Sequence, residues 1–224
     1  MRMPALALAA LFALPAHAAE ETATPAGPTA PPAPSAPAAE PRHTAEAVFA
    51  GGCFWCIESD FEKVPGVGDV VSGYSGGTNE NPTYENHTKY GHREVVRIPY
   101  DPEVVSYRTL VNVFFRSVDP TDGGGQFCDR GHSYSTAIYP LDLEQMKVAN
   151  DVKQRIEAAN LLKEPIATEI APAKPFTVAE EYHQDYYKKN PLRYKYYRTA
   201  CRRDSRVREV WGDEAYRGIK EKTS

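Results

Sequence analysis

No stretch of this 224-residue chain stays apolar for the roughly 18 residues a membrane-spanning helix needs. Basic residues do not dominate either. There are 26 Lys and Arg against 30 Asp and Glu, a net charge of −4. A protein that binds nucleic acid by neutralising phosphates carries the opposite balance, so that class is excluded. Cysteines number four, at positions 53, 56, 128 and 201. They are too few and too scattered to build a disulfide-stapled miniature scaffold. The chain has no Gly-x-Gly-x-x-Gly, no Walker loop and no internal repeat, so no nucleotide or flavin cofactor is expected. It does have 42% hydrophobic and 11% aromatic residues, with 14 Tyr. That is enough material for a packed core.

The N-terminus differs from the rest. Arg2, an apolar run from Ala5 to Leu14 and the ending Ala16-His17-Ala18 have the parts of a secretory signal peptide, expected over residues 1–18. No cysteine follows the cut, so a lipid anchor is not indicated, and a secreted or periplasmic location is expected. Residues 19–45 are rich in Pro and Ala (Pro25, Pro28, Pro31, Pro32, Pro34, Pro37, Pro41). Proline removes backbone donors, and little apolar bulk is left to bury, so this stretch reads as a disordered linker. A catalytic domain is expected over 46–203, followed by a C-terminal tail, 204–224.

Within that domain strands and helices alternate. Strands are expected at 47–50, 68–72, 94–100, 135–139 and 166–170. Helices are expected at 53–63, 107–117, 141–162 and 178–189, the last stopped by Asn190-Pro191. Such alternation argues for a two-layer α/β fold in which helices cover a central mixed sheet. The loops 74–90 and 119–133 are long, and long loops in compact domains tend to carry function.

Chemistry is concentrated at Gly51-Gly52-Cys53-Phe54-Trp55-Cys56. Cys53 falls where a strand ends and a helix starts, and free N–H groups there favour a thiolate, so a lowered thiol pKa is expected. The two glycines allow a tight turn and leave the sulfur approachable. Cys53-x-x-Cys56 is also a redox spacing, because one helical turn brings both sulfurs to one side. Haem attachment fails because Ile57 stands where His is required. A zinc site lacks a second closely spaced ligand pair, since Cys128 and Cys201 are single, so no metal is expected. A thioredoxin-like disulfide oxidoreductase using Cys53 and Cys56 remains an alternative, and so does an exported binding module with an aromatic pocket.

The segment Gly52-Cys53-Phe54-Trp55 resembles the signature of the peptide methionine sulfoxide reductase A family. More of the pattern follows in order: Val71 to Gly77, Asn81-Pro82-Thr83-Tyr84, Gly91 to Val96, Tyr100-Asp101-Pro102, Asp119-Pro120-Thr121, Asp129 to Tyr134 and Ala179 to Tyr186. The resemblance implies a ferredoxin-like α+β sandwich that reduces methionine S-sulfoxide, protein-bound or free, to methionine. By the same resemblance Cys53 is the nucleophile and Glu94 the proton donor to the sulfoxide oxygen. Tyr84 and Tyr134 hydrogen-bond that oxygen, Asp129 belongs to the same site, and Phe54 and Trp55 wall the methyl pocket. Attack leaves a sulfenic acid on Cys53, which a second thiol must convert to a disulfide. Cys201, taken to lie on a mobile tail, is the expected resolving cysteine, with Cys128 and Cys56 as alternatives. A thioredoxin-like donor then restores the enzyme, without a bound cofactor, and a monomer is expected. Three departures from the family pattern stand out: Cys56 where relatives often have Gly, a bulky 126–133 loop carrying Cys128, and an Arg-rich segment around Cys201.

Overall fold

Residues 45–220 are described by a computed structural model, so the expected signal peptide and almost all of the Pro-rich segment lie outside the described residues. The order along the chain is β1 (Ala45–Gly51), α1 (Phe54–Phe61), β2 (Val71–Ser75), β3 (Arg93–Tyr100) and α2 (Tyr107–Phe115). Then come β4 (Gly125–Gln126), β5 (Asp129–Arg130), β6 (Thr136–Ile138) and α3 (Leu143–Ala158). The chain continues with β7 (Glu169–Ile170), β8 (Thr177–Val178), α4 (Tyr186–Lys189), α5 (Pro191–Ala200) and α6 (Arg203–Trp211).

Six strands form one sheet in the order β7-β6-β1-β3-β2-β8. Only β6 and β7 pair in parallel, so the sheet is mixed. Its inner four strands, β6-β1-β3-β2, are antiparallel and are built by β1-α1-β2-β3-α2-β6, the split β-α-β arrangement of ferredoxin-like folds. Strand alternation sorts the side chains. Ala47, Phe49, Val96 and Ile98 turn to the helix side and pack with Phe61, Leu110, Phe114 and Val152. Val48, Ala50 and Val95 turn the other way and meet Ala171, Ala173 and Phe176, so that face is covered by an extended segment rather than by helices. Glu94 shares the parity of Val96 and Ile98, which aims its carboxyl at the start of α1.

Several elements are shorter than their apolar patterns imply. α3 starts at Leu143 because Asp142 caps it, its side chain accepting from the Gln145 N–H at 2.7 Å. The expected helix 178–189 is largely absent. Val178 belongs to the edge strand β8, and only Tyr186–Lys189 are helical. The intervening turn is held by distant partners: Gln184 bonds the Ser72 backbone at both its N–H and its carbonyl, and the Asp185 N–H donates to Glu58 Oε1 at 2.6 Å. Asp185 itself has a left-handed φ of 53°, which ends any continuous helix. Pro191 does not end the helical region. It occupies the first turn of α5, where its missing N–H costs nothing. Residues 204–211, assigned to a tail, continue α6, whose Val207 and Trp211 are buried in the main core.

Candidate active site

Gly51 and Gly52 join β1 to α1. Gly52 has φ +83°, and a Cβ there would lie 2.6 Å from Gln126 Cβ, so only glycine lets the chain pass this close to the 119–135 loop. Gln126 is itself buried and latched to the Asp119 backbone at 2.8 and 2.9 Å. The turn delivers Cys53 to the N-cap of α1 and Cys56 to its third residue. Both are buried free thiols. The Cys56 N–H donates to the Cys53 carbonyl at 3.1 Å, and both side chains belong to one buried cluster with Tyr194.

The expected depression of the Cys53 thiol is not what this environment produces. Burial pushes Cys53 up, and the negative charge of Cys56 and Glu94 adds to that. Cys56 is instead pulled down to about 7. Its hydrogen bond from Cys53 contributes most, opposed by burial and helped by the guanidinium groups of Arg203 and Arg198. One proton is thus held between two sulfurs, with the charge resting on the inner one.

Glu94 lies beside this pair and is 2% exposed. Its Oε2 accepts from the Phe54 N–H at 3.0 Å, an N–H left free at the helix start. Burial pushes its carboxyl up to about 8, with the charges of Asp129 and Cys56 adding. The acid is therefore protonated at neutral pH, and because Oε2 is the acceptor its proton belongs on Oε1. His87 Nε2 stands 3.9 Å from that oxygen. His87 Nδ1 donates to the Tyr84 carbonyl at 2.8 Å, and burial keeps the ring neutral, so Nε2 carries a lone pair.

Around these groups lies an aromatic wall. Trp55 stacks on Tyr186 at 3.7 Å and meets Tyr197 edge-on, and its Nε1–H donates to His183 Nδ1 at 3.1 Å. Tyr84 is 41% exposed at the rim, with its N–H on Glu180 Oε1, while Tyr74 donates to Glu180 Oε2. Tyr134 is half-buried, and the phenols of both Tyr84 and Tyr134 are raised by burial and by the charges of Glu94, Asp129 and Cys53, which share the site. Tyr197 donates to Asp129 and packs against the cluster of Cys53, Cys56 and Tyr194. Phe54 is 1% exposed and packs on Tyr74 and His183, so of the two expected pocket aromatics only Trp55 has surface to present.

Cys201 is not on a mobile tail. It caps α5 and is bonded to Cys128 as a disulfide spanning 73 residues. The structure thus brings Cys53, Cys56, Glu94, Asp129, Tyr84 and Tyr134 together and sets Cys128–Cys201 beside them through Asp129 and Tyr197. His87, Tyr197, Arg198 and Arg203 escaped the sequence reading. A histidine inside a long loop and arginines near the C-terminus give no local signal of a buried role. One carboxylate cluster, Glu58, Glu62 and Asp185, has its oxygens close enough to hold a cation. Those oxygens are already taken by Ser72, Lys188, Tyr187 and the Asp185 N–H.

A buried thiol pair at a helix start, facing a carboxyl kept protonated, defines a thiol-dependent oxidoreductase whose reaction delivers a proton. The chain matches the family described as peptide methionine sulfoxide reductase over residues 45–215. It is 55% identical over 182 residues to the peptide methionine sulfoxide reductase MsrA 2 of Rhizobium meliloti (strain 1021), covering 81% of this chain and 89% of that one. It is 49% identical over 168 residues to the MsrA of Bacillus subtilis (strain 168), covering 74% and 95%. Among solved structures it is similar to Mxr1 from Saccharomyces cerevisiae in reduced form, with TM-score 0.62, 31% identity and coverage of 66% and 86%. A second is methionine sulfoxide reductase A of Corynebacterium diphtheriae, with TM-score 0.58, 33% identity and coverage of 66% and 75%. The chain belongs to the peptide methionine sulfoxide reductase family and is an oxidoreductase that returns methionine sulfoxide to methionine.

Proposed function

We propose that Cys53 attacks the sulfoxide sulfur while Glu94 hands its Oε1 proton to the sulfoxide oxygen, with Tyr84 and Tyr134 donating hydrogen bonds to that oxygen. The S epimer is the substrate, in proteins or free. A sulfoxide oxygen leaves poorly unless protonated, so a buried neutral carboxyl next to a thiol is the observation that carries this reading. The proton of Cys53 has the Cys56 sulfur as its acceptor. The S–O bond breaks with the protonated oxygen leaving as water, and a water then attacks Cys53 Sγ, which expels methionine, returns a proton and leaves a sulfenic acid on Cys53. Trp55 offers an apolar surface to the methyl group, and Asp129 orients Tyr197 over the sulfur.

Regeneration requires a dithiol, and a thioredoxin-like protein is the proposed donor. Arg2, the apolar run Ala5 to Leu14 and the ending Ala16-His17-Ala18 support export, so exposed methionines of exported proteins are the proposed targets. The test is turnover of each methionine sulfoxide epimer by wild type and by Glu94→Gln. S-epimer reduction that collapses in the variant supports the assignment. An unaffected variant removes Glu94 from the chemistry.

A further inference from the structure

His87 is 1% exposed and sits in the loop that joins β2 to β3. Its ring stacks on Tyr74 with 4.9 Å between centres and on Tyr84 at 5.7 Å, and Nδ1 donates to the Tyr84 carbonyl at 2.8 Å. In the neutral ring Nε2 is then left with a lone pair. That atom is buried and has no hydrogen-bond partner among the described residues. It faces Glu94 Oε1 at 3.9 Å. Glu94 Oε2 is filled by the Phe54 N–H, so the proton of the neutral acid belongs on Oε1. A buried acceptor without a donor thus stands opposite a buried donor without an acceptor. The gap is longer than a hydrogen bond and too short for a water in line between the two atoms, so a small turn of either side chain closes it. Around Glu94 lie Asp129, Cys56 and Cys53 and the phenols of Tyr74, Tyr84 and Tyr134. Around His87 lie Glu180, His92 and His183, both of these imidazoles kept neutral by burial. None of these groups is a cation at neutral pH, so no ion pair holds Glu94 as a carboxylate.

We propose that His87 is the positioning residue of the acid: in the resting enzyme its Nε2 accepts a hydrogen bond from the protonated Oε1 of Glu94, which keeps the acid neutral and its proton on the oxygen that serves the substrate. The proposal rests on Glu94 being the proton donor to the sulfoxide. A hydrogen bond made by the neutral form of an acid favours that form, and a lone pair aimed at the carboxylate disfavours the other. His87 therefore acts in the same direction on both protonation states. The proton stays on Oε1 until the sulfoxide oxygen takes it, and His87 remains neutral throughout. Transfer leaves a carboxylate against the same lone pair, and that unfavourable pairing draws back the proton released when water attacks Cys53 Sγ. Through Nδ1 the same ring ties down the backbone of Tyr84, so one side chain links the acid to a phenol that shares its target.

Substitution separates the two ring nitrogens. His87→Asn offers an amide N–H near the place of Nδ1 and nothing at Nε2, whereas His87→Gln brings a carbonyl acceptor near the place of Nε2. His87→Phe keeps the aromatic stack and neither nitrogen. The readout is the descending limb of kcat/KM against pH for N-acetyl-methionine S-sulfoxide, with dithiothreitol as reductant. The wild-type limb is expected at about 8. In His87→Asn and His87→Phe it should move down by roughly 0.5–1 pH unit, the scale of one hydrogen bond, and His87→Gln should return it to the wild-type position. Lost packing alone would lower the rate at every pH and leave the limb in place, and that result overturns the proposal. Infrared difference spectra of the substrate-free protein, with Glu94→Gln to assign the carbonyl band of the acid, give a readout without turnover. The band should rise in frequency in His87→Phe, where the O–H loses its acceptor, and an unmoved band contradicts the proposal. A limb that persists in Glu94→Gln would overturn the acid assignment itself, a failure distinct from an unmoved limb in the His87 variants.

Discussion

At the scale of single residues, Glu94 fixes the pH range of the chemistry. Its carboxyl, raised to about 8 by burial, donates a proton below that value and cannot above it. Wild-type kcat/KM for the S epimer is therefore expected to fall as pH rises through about 8. Glu94→Gln should lose roughly 10²–10⁴-fold in rate and show no descending limb at that pH. The same shift acts on stability. A carboxyl whose pKa is raised by folding contributes its stability fully below the unfolded value of 4.5, and that stability drains away as pH climbs through the folded value. Glu58, buried and raised to about 7, behaves likewise. Melting temperatures measured at pH 5.5 and pH 8.5 should differ in wild type, the alkaline one lower. In Glu58→Gln, where no charge develops, the gap should shrink, and an unchanged gap would mean that Glu58 is not buried neutral in the fold.

The motif around Cys53 was legible because glycines, aromatics and thiols crowd into a few neighbouring positions, whereas the carboxyl at 94 was reached only through the family resemblance. The pKa of Cys53 was not legible. Local sequence shows the helix start but not that Cys56 and Glu94 would add negative charge to a thiol buried between them. At the scale of elements, helix α1 and the strands that frame it follow from their apolar spacing, while the turn at 179–185 does not. Its residues have a helix-like pattern, yet their polar groups go to Ser72 and Glu58, in the latter case 127 residues away. Only tertiary partners of that kind outweigh a local helical preference. The β1–α1 turn offers a sharper test. Alanine at Gly52 would adopt a left-handed φ of +83° and press on Gln126. The conformational term alone is about 1–2 kcal/mol, and the overlap adds to it. Chemical denaturation of Gly52→Ala should show at least that loss, with kcat reduced as Cys53 shifts against Glu94. A variant as stable and active as wild type would contradict the packing of Gly52 on Gln126.

Across the whole molecule, the C-terminal helices complete both the core and the site. Trp211 is 6% exposed, and its Nε1–H donates to the Val118 carbonyl at 3.0 Å. Arg203 is buried beneath the thiols, with its guanidinium on the Gly51 and Ser117 carbonyls. The composition of residues 204–224, charged and poor in apolar groups, hid this role, because one tryptophan and one valine do the burying. Trp211→Ala is expected to cost roughly 3–5 kcal/mol, read as a drop in the urea midpoint. A loss under about 1 kcal/mol would mean that α6 is peripheral.

The central claim is that a buried thiol and a protonated carboxyl reduce one epimer of methionine sulfoxide. The most direct measurement is single turnover of the fully reduced protein with each epimer, following methionine release and the oxidation state of Cys53. Methionine from the S epimer alone, with Cys53 oxidised, is the predicted result. Turnover of neither epimer by a protein that still reduces insulin disulfides would contradict it, and would make Cys53-x-x-Cys56 the site of a thiol–disulfide exchanger.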